Sequence, residues 1–349
     1  MDTLMARPRL LKQANLTLIR RVIKTRGTAT RAEIAGETGI SVTTVRSLLA
    51  EMMESGEIES IGHDASSGGR KAERYRFNPD RYYGAAFCIT NGQIHSLLVN
   101  VCGEIVEVSS LEAPDGNYEL AITACLDDLV QHKEIKSIGV GVPGVVEGSS
   151  FWSQNKENYE LFKIPLGDSL AKRYGIPVIL ENDLNATAIG FCRCYAKEFP
   201  GENPEDTNMA YLHFEEGCIS AGFIAGGRVI RGCSNFAGEI GLIPATDGRT
   251  LAECMAEPMD DKQYISFAVQ IISWICGILN PQYVLLGGPS LRKDCIGPIS
   301  DTLTAILPKH MFATILYSPD VWNDYHDGMA YLTAGKMFDD IQFIKEQPC

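Results

Sequence analysis

The apolar positions of this chain change texture near residue 80. Before it, Leu16, Ile19 and Ile23 are spaced 3 and 4 apart, as on one buried face of a helix. Thr30-Arg31-Ala32-Glu33 fits the S/T-x-x-E box, whose outer side chains close the free N–H groups at a helix start. Gly39 offers a turn and Ser41 a second cap. In the helix this predicts, Val45, Leu48, Leu49 and Met52 fall at i, i+3, i+4 and i+7, a single apolar stripe. Gly56 stops it, Ile58 and Ile61 read as a short strand, and Ser67-Gly68-Gly69-Arg70-Lys71 forms a basic hairpin tip. Helix, turn, helix and wing in that order predict a winged helix-turn-helix over residues 1–80, whose partner is a DNA duplex.

After Asn78-Pro79 the period shifts from helical to alternating. Tyr83–Ile89, Gln93–Val101 and Glu104–Val108 read as an antiparallel meander, followed by a helix over 119–131. Ser137–Val142 is an apolar strand ending at Pro143-Gly144. Ile176–Leu180 is another, with a helix from about Asp183 to Lys197 behind it. Pro200, Gly201 and Pro204 mark a boundary. Beyond them Met209–Phe214 and Ala221–Ile230 repeat the strand–turn–strand texture, and Val284–Leu286 forms a late strand before Gly287-Gly288. Two lobes of meanders feeding helices predict an α/β fold with a cleft between them.

Charge divides the chain at the same place. Residues 1–80 hold 13 Lys+Arg against 10 Asp+Glu, a balance of +3; the remainder holds 18 against 34, or −16, and together these give −13. An acidic body repels DNA, so only the first segment suits phosphate contacts. The 11 cysteines have neither framework nor zinc spacing and read as reduced thiols of a cytoplasmic protein. Gln263–Asn280 is uncharged but carries Gln270, Ser273 and Gly277, which suits a core helix better than a membrane span.

Four segments carry a family resemblance. Ile138-Gly139-Val140-Gly141-Val142-Pro143-Gly144 resembles a Gly-x-Gly-x-Pro-Gly motif, and Glu181-Asn182-Asp183-Leu184-Asn185-Ala186 a sugar-site motif. Arg231-Gly232 through Phe236-Ala237-Gly238-Glu239-Ile240-Gly241 is similar to the signature stretch. Leu279-Asn280-Pro281 to Leu286-Gly287-Gly288 is similar to the last nucleotide-side motif. The chain thus resembles the ROK family of repressors, open reading frames and sugar kinases, in its xylose-repressor and N-acetylglucosamine-repressor branch. The resemblance implies a two-lobe actin- and hexokinase-like (ribonuclease H-like) fold, with 81–198 plus about 322–349 as first lobe and 199–321 as second. It also implies assembly as a homodimer or tetramer.

The departures from the family pattern bear on chemistry. Its first phosphate loop, Asp-Ile-Gly, is here Cys88-Ile89-Thr90, and its Gly-Thr-Gly-Ile-Gly run is Glu216-Gly217-Cys218-Ile219-Ser220. Only glycine lets backbone N–H groups crowd a phosphate freely. A carboxylate about 4 Å from a phosphate charge costs about 4 kcal/mol at an effective dielectric near 20. Where relatives carry a zinc-binding histidine and cysteine loop, this chain has Leu242 and Thr250-Leu251-Ala252-Glu253-Cys254. The expectation is therefore no nucleotide cofactor, no structural zinc and no kinase activity.

For a carbohydrate effector the resemblance assigns Asn182, Asp183, Glu239, Glu257 and Gly144. The blander alternatives are a helix cap for Asp183 and a surface carboxylate for Glu239. Asn155 and Asn158 compete for one asparagine ahead of Pro165-Leu166. Trp152, Tyr159 and Phe162 suit sugar stacking or core packing. Ser41, Thr43, Thr44 and Arg46 would line the outer face of the second DNA-module helix, with Arg70 and Lys71 at the wing tip for a minor groove. The expected function is a sequence-specific transcriptional regulator, a repressor of carbohydrate metabolism acting on a double-stranded operator. A sugar kinase with a fused regulator, and a DNA-binding protein with a vestigial cleft, stay open as alternatives.

Overall fold

The computed structural model describes residues 2–64, 72–90, 93–113, 117–154, 161–198, 203–245 and 248–338. The N-terminal module consists of α1 (Asp2–Arg26), β1 (Ala29–Thr30), α2 (Arg31–Thr38), α3 (Val42–Glu54), β2 (Ile58–His63) and β3 (Glu73–Phe77), with β3 between β1 and β2 in one antiparallel sheet. Thr30 and Glu33 cap α2 reciprocally, the Thr30 N–H donating to the Glu33 carboxylate at 2.7 Å. Gly39 ends that helix at φ 71°, a left-handed geometry that a Cβ disfavours. Val45, Leu48, Leu49 and Met52 bury their stripe with Ile19, Ile23 and Ile34. The Arg20 guanidinium donates twice to Glu57, at 2.6 and 2.9 Å, fastening α1 to the start of β2. The basic tip at 67–71 lies outside the described residues.

The body begins with the expected meander, β4 (Tyr83–Thr90), β5 (Gln93–Asn100) and β6 (Ile105–Glu112). Then come α4 (Tyr118–His132), β7 (Ile135–Val142), a small antiparallel sheet of β8 (Val145–Glu147), β9 (Ser150–Gln154) and β10 (Leu161–Ile164), α5 (Leu166–Tyr174), β11 (Val178–Asn182) and α6 (Asp183–Glu198). The second half runs through β12 (Met209–Glu215), β13 (Cys218–Ala225), β14 (Arg228–Val229), α7 (Leu251–Met255) and α8 (Asp261–Leu279). It continues with β15 (Tyr283–Gly287), α9 (Ile296–Ile306), β16 (Thr314–Tyr317) and α10 (Val321–Lys336). The strand expected over 221–230 is two: it starts at Cys218 and is broken by Gly226-Gly227, both at positive φ, a tight hairpin turn.

Both five-stranded sheets share one plan, β11-β7-β4-β5-β6 and β16-β15-β12-β13-β14. In each, the first strand in sequence is central, its antiparallel meander lies on one side and two parallel strands on the other. Helix α8 is long and apolar enough to cross a membrane by length and composition. It instead buries seven residues, Tyr264 to Cys276, in the second sheet's core, as a core helix does.

Helix α10 returns to the first sheet, burying Tyr325, Met329, Ala330 and Ala334 with Ala86, Cys88, Leu97 and Val99. It crosses α6 at two glycines: a Cβ on Gly190 or on Gly328 would sit 1.8 Å from a backbone oxygen of the other helix. The same core continues into the N-terminal module. Just past α10, the Phe338 ring stacks on Phe77 at 5.9 Å, meets Tyr82 edge-on at 6.0 Å and lies 4.4 Å from the Arg20 guanidinium.

Candidate functional site

The cleft opens where strands of both sheets end, the position at which α/β folds place ligands. Its cavity of about 970 Å³ is lined by Asn182 and Asp183 from the β11–α6 junction, Gly144 after β7, Glu239, and His213, Glu215, Cys218 and Ser220 from the β12–β13 hairpin. Trp322 and Tyr325 of α10 and Thr90 and Gln93 of the first hairpin complete the wall. Of the expected sugar residues, Asn182, Asp183, Glu239 and Gly144 therefore meet in one space.

The local chemistry separates the roles of the two residues that open α6. Asn182 is the cap: its side-chain oxygen accepts the N–H of Leu184 at 3.0 Å and of Asn185 at 3.1 Å. Its amide donates to the Gly144 carbonyl at 3.2 Å. Gly144 has no room for more, since a Cβ there would lie 2.3 Å from the Trp152 carbonyl oxygen. Asp183 accepts the adjacent Leu184 N–H at 2.8 Å and faces the cavity. Burial raises its pKa to about 7, with the charges of Glu239 and Glu215 adding to the shift. Burial raises Glu239 as well. Glu239 is held in place because Gly238, at φ 108°, lies flat on β13, where the Ala221 N–H donates to its carbonyl at 2.8 Å.

The opposite wall was not legible as a site. His213 and Glu215 stand two apart on β12 and so share a face, paired in register with Ser220 and Cys218 of β13. The His213 Nδ1 lies 3.1 Å from the Tyr211 hydroxyl and its Nε2 3.7 Å from Glu215; burial lowers its pKa. Trp322 stacks on His95 at 4.0 Å, and His95 Nδ1 is 2.9 Å from His326 Nε2. Burial first, then the neighbouring His95, lowers His326 to about 4. The Tyr325 hydroxyl donates to the Ile89 carbonyl at 3.3 Å, and its ring fills the space that Gly141 leaves open.

Two expectations are corrected by this geometry. Glu257 is not in the cavity: α7 turns the shortened loop so that Glu257 pairs with Arg249 and lines a separate pocket of about 380 Å³. Glu216 lines that same pocket, and the carboxylate facing the cavity is Glu215, one residue earlier on the opposite strand face. Trp152 donates its indole N–H to Glu147 at 2.8 Å under Lys163, on the small sheet and away from the cavity lining. Asn155, Asn158 and Tyr159 lie outside the described residues. Phe162 is exposed.

The lobes are also tied by a charge pair that the sequence did not announce. Glu181 is buried at the end of β11, accepts from the Asn185 amide at 3.1 Å and pairs with Arg231 of the second lobe. In the N-terminal module, Ser41 caps α3 and shares a 2.9 Å hydroxyl contact with Thr44, while Val42, Thr43 and Arg46 are exposed. Arg20, Arg26, Arg31, Arg74 and Arg76 are all engaged with carboxylates. No ion pair involves Arg46 among the described residues.

Twin α/β lobes of one topology, closing on a cavity floored by a helix start and carboxylates, define a two-lobed protein of the actin-like kind. Residues 88–258 match the ROK family. The xylose repressor of Caldicellulosiruptor bescii is 28% identical over 243 residues, 66% of this chain and 59% of that protein, so the chain spans about three-fifths of the relative's length. A crystal structure of a ROK family transcriptional regulator, a homologue of the E. coli MLC protein, superposes with a TM-score of 0.71 at 18% identity, covering 94% of this chain and 97% of that one. A ROK family glucokinase from Streptomyces griseus, solved with glucose and AMPPNP, shares the body fold at a TM-score of 0.51 and 17% identity, covering 72% of this chain and 99% of that one.

Proposed function

We propose that this chain is a sequence-specific DNA-binding transcriptional regulator, a repressor of carbohydrate metabolism whose sugar effector binds between the lobes. The observation that carries the reading is the course of α10. The helix starts in the cleft, with Val321, Trp322 and Tyr325 in its wall, and about 24 Å later ends beside Phe338, packed on the N-terminal module. A ligand that tilts the lobes against each other moves one end of a rigid rod whose other end touches the DNA reader.

In this reading the N-terminal module is a winged helix-turn-helix. α3 enters the major groove with Thr43 and Arg46 toward base edges and Ser41 and Thr44 near phosphates, and Arg70 and Lys71 address the minor groove. One module makes few contacts, so a homodimer or tetramer in the cytoplasm binds a two-fold operator. Asn182, Asp183, Glu239 and Gly144 hold the sugar. Arg46→Ala is expected to weaken binding to an upstream duplex by about 1–3 kcal/mol and to flatten its salt dependence in fluorescence anisotropy. Unchanged binding would remove α3 from the interface.

Asp183 supports one rival. A carboxylate raised to about 7 on the cavity floor has the proton affinity of a general base, as a sugar kinase requires. Against it stand Thr90 and Cys218, which line the cavity in the two segments where the resemblance implies glycine-built phosphate loops, with Glu215 beside them. A coupled ATP-consumption assay across hexoses is expected to show no turnover; turnover abolished by Asp183→Asn would establish the kinase instead.

A further inference from the structure

We propose that the Glu181–Arg231 pair is a strut that sets the spacing between the two halves of the effector site. Arg231 is thereby a positioning residue for the sugar, although neither partner of the pair is among the residues lining the effector cavity. The proposal rests on the cleft being the sugar site.

The pair joins the two segments that carry Asp183 and Glu239. On the first lobe, Glu181 stands next to the end of β11 and directly before Asn182 and Asp183. Its carboxylate accepts the Asn182 N–H and the Asn185 side-chain amide, each at 3.1 Å, and the Asn182 side chain in turn caps the Asn185 N–H. Glu181 is thus fixed to the same turn that presents Asp183 to the cavity. On the second lobe, Arg231 follows β14 and opens the loop that leads to Glu239. Its carbonyl accepts the Ala237 N–H at 3.2 Å, so the loop closes back on Arg231 two residues before Glu239. A shift at either end of the pair therefore carries a cavity carboxylate with it.

The pair also lies apart from the packed contact between the lobes. That contact runs along α6, where Ala188, Ile189 and Cys192 bury against Met209, Tyr211 and Ile224. Beside the pair there is instead a cavity of about 200 Å³, lined by Val146 and Gly148 of the first lobe and by Asn235 of the second. A single packed seam permits rotation about itself, and a second tie off that seam fixes the angle. Glu181 is only 2 % exposed while the Arg231 side chain is 45 % exposed, so a desolvated carboxylate depends on a partly hydrated partner from the other lobe.

The test is isothermal titration of the full chain at pH 7 with D-xylose, D-glucose, N-acetyl-D-glucosamine and the 6-phosphates of the last two. For the sugar that the parent binds best, Arg231→Gln is expected to lower affinity about tenfold. That variant leaves buried Glu181 without its counter-charge, so the double variant Glu181→Gln/Arg231→Gln is measured beside it and is expected to show the same loss at the parental melting temperature. Arg231→Lys, which keeps a charge able to reach Glu181, is expected to recover most of the affinity. Arg173→Gln, which removes a surface pair with Asp127, is expected to bind as the parent does. Parental affinity in the double variant, no recovery in Arg231→Lys, or an equal loss in Arg173→Gln overturns the strut and leaves the sugar-sensor reading standing. Failure of the parent to bind any of these sugars overturns both.

Discussion

The two lobes are built on one strand plan, yet they use it differently. The first sheet carries an eight-residue outer strand, β6, and shares its core with the N-terminal module through α10 and Phe338. The second ends its meander in the two residues of β14, and its core holds no residue of the N-terminal module. The second lobe meets the first through α6, where Gly222 lies under the Leu184 carbonyl, and through the Arg231–Glu181 pair. Equal topology thus gives one lobe whose core runs into the N-terminal module and one that meets the first through α6 and the charge pair. The plan dictates where a cleft forms; the side chains at strand ends decide what it binds. Asn182 and Asp183 come from one sheet, His213 and Glu215 from the other.

The contrast can be broken most severely at the helix crossing. Gly328→Ala places a methyl group 1.8 Å from the Ala186 carbonyl oxygen, forcing α6 and α10 apart. Chemical denaturation is expected to show a loss of about 3 kcal/mol; a stable variant would mean that the crossing yields. A smaller and more selective effect is expected at Phe338→Ala, which cuts the first lobe's hold on Phe77 and Arg20 while leaving the cleft untouched. Sugar and DNA should each still bind, but their coupling, about 1–3 kcal/mol in such switches, should fall toward zero. Retention of full coupling would show that the signal takes another route.

The smallest effect is in pH dependence. Asp183 has its folded pKa raised from 3.8 to about 7, so the folded state holds the extra proton between those values. Its stabilising share is complete below 3.8 and is lost as pH rises through about 7. Asp183→Asn should therefore gain stability over the parent above pH 7, by about 1–2 kcal/mol once the side chain's contact with cleft solvent is allowed for. Parallel melting curves from pH 6 to 8 would contradict the buried charge.

How much of this was readable beforehand depended on whether the signal was local. Thr30, Glu33, Gly39 and Ser41 announce α2 and α3 because caps and turns act within four residues. The strands β4, β5, β7 and β12 were legible from apolar runs. β8, β9 and β10 were not, since strands of three to five residues carry too little alternation to read. In the cleft, Asn182, Asp183 and Glu239 stood out through their motifs. His213 and Glu215 did carry a signal, two polar residues at period 2 in an otherwise apolar strand, but nothing local says that this face meets Asp183. Trp322 had none of its own: only the family resemblance, which puts about 322–349 back in the first lobe, brings that stretch to the first sheet. Glu257 was misplaced because one short helix, α7, redirected the loop.

The most direct measurement is anisotropy of a labelled duplex from upstream of the chain's own coding region, titrated with the full chain with and without the sugar that binds best. Specific binding is expected, with an affinity that shifts between about fivefold and 150-fold when the sugar is present. Equal affinity in both titrations, with the sugar shown calorimetrically to be bound, would contradict it.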